Sequence, residues 1–293
     1  MNTVKENAYA KINLYLDVIS VRDDGFHNIK TVMHSVSLCD EVTVSVVPAR
    51  VTSVKLAVEK CGFLPTDSKN LAYQAAVLFL ESYGKNAEVT VNLTKNIPIA
   101  AGLAGGSSDA AAVLRALNKI YKKPFTAAAL AKMSAALGSD VPYCVIGKTA
   151  LCEGRGEIMT PIATDRILNV VIATAGERTS TPEAYRILDE KYSSFDGSVK
   201  GEGENYFVKI MSELASSSIP TVGLFNIFES AVLDSCPGAL KLKEMLIELG
   251  ATGAIMSGSG PAVFGIFESE ESARKAEASL RNDGYNAWYA KSV

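Results

Sequence analysis

The sequence predicts an α+β protein in two halves, and three observations carry that expectation. Ala8 to Val18 alternates with a period of two, placing Ala10, Ile12, Leu14, Leu16 and Val18 on one face of a strand. A helical stretch from Leu71 to Tyr83 is framed by Asn70 as cap and Gly84 as stop. From Gly253 to Lys291 the pattern reads strand, loop, strand, helix, strand, the order of a helix-backed antiparallel sheet. At 293 residues the chain suits one large domain or two ordinary ones. A break is expected after Glu157–Pro161, giving domains 1–160 and 161–293.

Further elements follow in order. Val32–Leu38 and Glu41–Val47 read as two strands joined at Cys39-Asp40, and Val89–Leu93 as another. A helix is expected from Asp109 to Lys123, and one from Thr126 to Leu137, stopping at Gly138. Gly138–Pro142 is read as a turn into apolar strands around Cys144 and Leu151. In the second half Leu168–Ala173 is a buried strand, and Ser193–Gly203, rich in Ser, Gly and charge, is an exposed loop. Pro237–Leu249 is an amphipathic helix ended by Gly250. Strands at Gly253–Met256, Ala262–Phe267 and Tyr285–Lys291 and a helix at Ser269–Asn282 complete the chain, Ser269 and Ser272 marking the helix start.

Composition narrows the function classes. A net charge of −3 argues against a nucleic-acid partner, which calls for a basic face. No apolar run approaches membrane-spanning length, and Met1–Glu6 lacks the apolar core of a signal peptide. The five cysteines are odd in number, scattered and never C-x-x-C spaced, so they read as reduced thiols in a cytoplasmic protein.

The feature with the most chemistry is Pro98-Ile99-Ala100-Ala101-Gly102-Leu103-Ala104-Gly105-Gly106-Ser107-Ser108, between a strand and a helix. Glycines there let backbone approach a ligand closely. Ser107, Ser108 and Asp109 suit a helix cap, and a helix N-terminus favours phosphate. Two familiar phosphate loops are excluded. Gly147-Lys148-Thr149 has Pro142 where G-x-x-x-x-G-K-[ST] needs glycine, and Gly102 is followed two places on by Ala104, not glycine. A second loop, Ser257-Gly258-Ser259-Gly260-Pro261, is either a plain turn or a second wall around the same phosphates.

Other candidates have two readings each. Asp140 is a turn aspartate bonding its own backbone, or a carboxylate that orients a hydroxyl for attack on phosphorus. Lys11, opposite Ile12 and Leu14 with Asn13 and Tyr15, is a solvated strand lysine or a stabiliser of transferring charge. Phe26 and His27 anchor a loop, or stack on a base and read its edge. With no second ligand at metal spacing, neither histidine points to a metal, and no metal ligand is assigned.

Taken in order, Ala10-Lys11-Ile12-Asn13-Leu14, the Pro98–Ala111 loop and Met256–Gly260 resemble the three motifs of the GHMP kinases. The resemblance spans nearly the whole chain. It implies an N-terminal domain like ribosomal protein S5 domain 2, a ferredoxin-like C-terminal domain, and use of ATP with Mg2+. Arg22–His27, Leu137–Pro142, Glu153–Glu157 and Asn226–Glu229 are similar to the branch that phosphorylates the 2-hydroxyl of a cytidine-diphosphate sugar alcohol in non-mevalonate isoprenoid synthesis. Carried over, Asp140 is the catalytic carboxylate and Lys11 its cationic partner, and Asn13 and Thr181 hold the substrate. His27 reads cytosine between Phe26 and Tyr185, and Asn70 and Lys95 lie near adenine. Phe26 stands where that branch often has tyrosine, and Ala100, Ala101 and Ala104 stand where it often has glycine. The alanines are therefore expected to keep ordinary helix or strand angles. Another small-alcohol kinase of the family, on homoserine or mevalonate, is the nearest alternative. A catalytically silent nucleotide-binding protein is the alternative from outside the enzymes.

Overall fold

The computed structural model describes residues 2–192 and 200–293, which form two compact units. One comprises the residues up to Ala10, Cys39–Pro98 and Ala104–Gly147; the other comprises Lys11–Leu38, Ile99–Leu103 and Lys148–Val293. The units cut across a division at residue 160, because Lys11–Leu38 and Ile99–Leu103 group with the C-terminal residues.

Two long strands, β1 (Asn2–Val21) and β2 (His27–Pro48), contribute to both units. In the first unit the strand order is β3-β4-β2-β1, with β3 (Ser53–Glu59) parallel to β4 (Ala87–Thr94) and β2 antiparallel to it, Val42 facing Leu93. Four helices complete this unit: α1 (Leu71–Tyr83), α2 (Gly105–Ile120), α3 (Ala127–Ser134) and α4 (Val141–Ile146). The α1 helix has the bounds its caps predict: Asn70 Oδ1 accepts from Ala72 N, and Gly84 closes it at φ +68°.

Four local expectations change here. β2 is continuous through Cys39-Asp40, because Asp40 points inward and accepts from the Ile97 amide. α2 starts four residues before Asp109 and stops at Ile120, where Lys122 and Lys123 turn to positive φ. α3 ends at Ser134, three residues short of Leu137. Cys144 lies in a helix, not a strand; Pro142 sits in its first turn, where a missing N–H costs nothing.

In the second unit β5 (Thr149–Gly154) pairs antiparallel with the Ile29–His34 part of β2, and β6 (Ile158–Pro161) pairs with β5. β7 (Asn169–Thr174), α5 (Thr181–Lys191), α6 (Lys200–Ala215), β8 (Phe225–Asn226), α7 (Glu229–Val232) and α8 (Pro237–Glu248) follow. Then come β9 (Gly253–Met256), β10 (Val263–Phe267), α9 (Glu270–Asn282) and β11 (Asn286–Lys291). The sheet order β11-β7-β10-β9, with every pair antiparallel, is a ferredoxin-like arrangement. Leu242 and Leu246 of α8 and Ala273, Ala276 and Leu280 of α9 are buried in one core with Val171, Val263 and Phe267 of the sheet. Of the stretch read as a loop at Ser193–Gly203, residues 193–199 lie outside the described residues. The remainder opens α6, where Gly203 is tight: a Cβ there would lie 2.1 Å from Asp17 Oδ2.

The period of two in β1 holds, but its consequence differs. Lys11, Asn13, Tyr15 and Asp17 are as buried as Ile12, Leu14, Leu16 and Val18, so β1 has no solvated face between Ala10 and Val18. Burial raises the Asp17 carboxyl to about 6, against the Val18 amide at 2.9 Å that favours its charged form. A raised carboxyl binds its proton more tightly folded than unfolded, so stability is highest at low pH and falls as pH rises through about 6. Asp17→Asn keeps an oxygen for Val18 N without the buried charge. At pH 8 it is expected to exceed the wild type by about 2–3 kcal/mol in urea titrations, with the gain vanishing near pH 4. A gain independent of pH would refute this account of Asp17.

Candidate functional site

The glycine loop is held by backbone as much as by side chains. Ala262 N donates to Ala101 O at 3.3 Å, and Lys11 N to Leu103 O at 3.2 Å. Gly102, at φ +78°, packs so closely on the second loop that a Cβ would sit 2.0 Å from Ser257 O. The alanine expectation is overturned: Ala100 and Ala104 have φ of +53° and +56°. Each therefore carries on the order of 1 kcal/mol of backbone strain that glycine would not.

The helix start also differs from the expected cap. Ala104 is the N-cap of α2 and offers no side-chain bond, so the first-turn amides at Gly105, Gly106 and Ser107 have no intrahelical acceptor. Such a turn suits an anion better than a side-chain-capped one does. Ser108 does not cap; it is buried and its hydroxyl donates to Tyr9 O at 2.5 Å. Asp109 is buried beside Lys95.

Lys95 and Asn70, expected near adenine, each also have structural work. The Lys95 ammonium is buried between the carboxylates of Asp40 and Asp109, the latter at 2.7 Å. Burial works against its charge, but the two carboxylates outweigh burial and hold it above the usual lysine range. Burial and the Asp40 charge push Asp109 well above the usual carboxylate range, despite Lys95. Asp40 also accepts from the amides of Asn96 and Ile97, so this cluster ties the loop's entry to the first turns of α2. Asn70 is occupied as the α1 cap and donates to Pro65 O at 2.8 Å.

Lys11, buried rather than solvated, donates from Nζ to Gly102 O and to Asn13 Oδ1, both at 2.7 Å. That bond fixes the Asn13 amide, whose Nδ2 donates to Thr31 Oγ1 at 2.8 Å. Ser257 Oγ donates to the same Gly102 carbonyl at 3.1 Å, and Thr181 Oγ1 lies 2.8 Å from Ser259 Oγ. The structure thus gathers Lys11, Asn13, Gly102, Thr181 and the second loop. Ser257–Pro261 is bonded to the glycine loop and is not an isolated turn.

Asp140 stands at the N-cap of α4 with no side-chain bond to its own helix, so the self-bonded turn reading does not hold. A carboxylate is favoured at that end of a helix dipole. Arg115 of α2 donates to Cys144 O at 2.6 Å and to Asn7 O at 2.8 Å, locking the helix that follows Asp140 onto α2.

His27 is buried, its Nε2 2.7 Å from Asp189 Oδ1 and its ring stacked on Tyr185 at 4.5 Å. Tyr185 meets Phe228 edge-on at 4.9 Å, whereas Phe26 is half exposed under the Arg155 guanidinium at 4.9 Å. Histidine and tyrosine therefore come together, while Phe26 flanks them from an exposed turn. Asp189, Arg155 and Thr31 have no sequence signal as partners beyond the place of Arg155 in the Glu153–Glu157 motif.

Comparison with known proteins places the chain in a family. Residues 70–148 match the GHMP kinases N terminal domain, and residues 205–286 the GHMP kinases C terminal domain. A 4-diphosphocytidyl-2-C-methyl-D-erythritol kinase of Clostridium botulinum (strain Alaska E43 / Type E3) is 38% identical over 290 residues, covering 98% of this chain and 99% of its own. One from Geobacillus thermodenitrificans is 40% identical, covering 94% and 91%. A crystal structure of 4-(cytidine 5'-diphospho)-2C-methyl-D-erythritol kinase superposes with a TM-score of 0.79 at 33% identity, over 98% of both chains. Homoserine kinase from Cytophaga hutchinsonii, at 20% identity and a TM-score of 0.78 over 100% and 95%, shares the fold.

Proposed function

We propose, for a chain that belongs to the GHMP kinases, that it transfers the γ-phosphate of ATP to the 2-hydroxyl of 4-diphosphocytidyl-2-C-methyl-D-erythritol, in the methylerythritol phosphate route to isopentenyl diphosphate. The observation that carries this reading is identity of 38–40% over nearly full length to enzymes of that one activity. The homoserine and mevalonate readings have a fold likeness alone, at 20% and 16% identity. Intact Lys11 and Asp140 weigh against a silent nucleotide-binding protein.

ATP is seated with its phosphates on the glycine loop and the amides that open α2, where the helix dipole favours negative charge. Lys11 stabilises charge on the transferring group. Asp140 orients the acceptor hydroxyl in line; a loose transition state needs little early deprotonation, so orientation is its main contribution. Asn13 and Thr181 hold the sugar alcohol, and His27 reads the cytosine edge with Phe26 and Tyr185 at its faces.

Mg2+ fits this site as an ion carried by nucleotide. Among the described residues no cluster of three or more His, Cys, Asp or Glu could cage a metal. Mg2+ ordinarily keeps several waters and takes substrate phosphates plus one or two protein oxygens. Ser108 is buried with its hydroxyl turned to Tyr9 O, so the less buried Ser107 hydroxyl would be the loop oxygen to hold it. The ion would neutralise phosphate charge. Among the described residues no helix is long and apolar enough to cross a membrane, and five free thiols suit the reducing cytoplasm, where this reading places the enzyme.

The test is 31P NMR of the purified protein with ATP, Mg2+ and the cytidyl substrate. One new phosphomonoester resonance is expected per ADP formed. ADP appearing with inorganic phosphate and no new monoester would overturn the reading.

A further inference from the structure

Asn226-Ile227-Phe228-Glu229 has no role in the mechanism above, yet it holds the second loop from behind. That loop is poor in means to hold itself. It contains two glycines, at φ +57° and +74°, and ordering glycine carries the largest loss of backbone freedom. The Asn226 amide uses both hydrogens on it, donating to Met256 O at 2.7 Å and to Gly258 O at 2.8 Å. Its oxygen accepts from Phe228 N at 3.0 Å, so the partners fix the amide in one orientation. Glu229 takes the next contact: Met256 N donates to Oε1 at 3.0 Å, while Lys243 Nζ holds Oε2 at 2.6 Å. Ile227 N donates to Leu16 O at 3.0 Å, tying the segment to β1, five residues beyond Lys11.

The other side of the loop meets the catalytic groups. Ser257 Oγ shares the Gly102 carbonyl with Lys11 Nζ. Gly258 fits so closely that a Cβ on it would lie 2.9 Å from Gly102 O and 3.1 Å from Lys11 Nζ. A displacement of the loop by a few tenths of an ångström is therefore passed directly to Gly102 and Lys11. We propose that Asn226 and Glu229 are positioning residues for phosphoryl transfer, clamping Met256–Gly258 so that Lys11 and Gly102 keep their register. The proposal rests on the kinase reading for the role of Lys11, and on the bonds above for everything else.

Three variants test it. Asn226→Asp is isosteric but sets an oxygen against two carbonyls, and kcat is expected to fall 30-fold or more with KM for the cytidyl substrate within threefold. Glu229→Leu is expected to lose at least tenfold in kcat, whereas Glu229→Gln, which keeps an oxygen for Met256 N, recovers to within threefold of wild type. Melting temperatures and active-site titration normalise each rate to folded enzyme. Unchanged normalised kcat in both Asn226→Asp and Glu229→Leu would overturn the clamp. So would equal losses in Glu229→Gln and Glu229→Leu. Wild-type turnover in the same assay reports on the kinase reading. If wild type prefers homoserine or mevalonate, the same ratios are taken with that acceptor.

Discussion

Gly102→Ala is expected to lower phosphoryl transfer by about 100-fold or more, the scale associated with a 1 Å misplacement of reacting groups. The added Cβ would meet Ser257 O at 2.0 Å and Gly260 N at 3.1 Å, and neither backbone atom yields as a flexible side chain does. Alanine at φ +78° adds on the order of 1 kcal/mol of strain. The loop must then move away from Ser257, taking with it the carbonyl that holds Lys11. Gly284→Ala is the control, with φ +87° and open space around the new methyl. It is expected to cost about 1 kcal/mol in stability and nothing in rate. Steady-state kinetics beside urea titrations separate the two; equal activity in both variants would contradict the packing argument.

Lys11→Met has the second large expected effect, a loss of about 10²–10³ in kcat, the scale for removing one preorganised donor from a transition state. KM for the cytidyl substrate is expected to change far less, because the donor acts on charge that develops during transfer. Lys11→Arg is not expected to rescue it. The Nζ sits 2.7 Å from Gly102 O and Asn13 Oδ1, with Gly258 packed alongside, which leaves no room for a planar fork. Arginine activity within tenfold of wild type would show that charge alone, without this geometry, is enough.

Much of the fold was legible because its signals are local. Asn70 and Gly84 bound α1 through bonds to their own helix, and Ser269 with Ser272 forms the capping box that opens α9. The strand, loop, strand, helix, strand order from Gly253 to Lys291 was legible for the same reason, while its ferredoxin-like character came from the family resemblance. What sequence reasoning missed is set by distant partners. Lys11 reads as a polar-face lysine because the Gly102 carbonyl that buries it lies 91 residues away. The ion pairs of Lys95 with Asp40 and Asp109 have no sequence signal because those carboxylates are 55 and 14 residues off. Asp140 reads as a turn because α4 spans only six residues, too few for a period to show. Ala100 and Ala104 misled for a different reason. Alanine disfavours positive φ, yet here the loop's anchors at Ala101 and Leu103 hold the backbone between them.

The central claim is substrate identity, and kcat/KM across acceptors tests it most directly. The panel is 4-diphosphocytidyl-2-C-methyl-D-erythritol, its uridyl analogue, homoserine and mevalonate, with ATP and Mg2+ throughout. The cytidyl substrate is expected to lead the uridyl analogue by at least tenfold, and homoserine and mevalonate by far more, since neither offers a base to His27. Comparable or greater efficiency on homoserine or mevalonate would contradict the account.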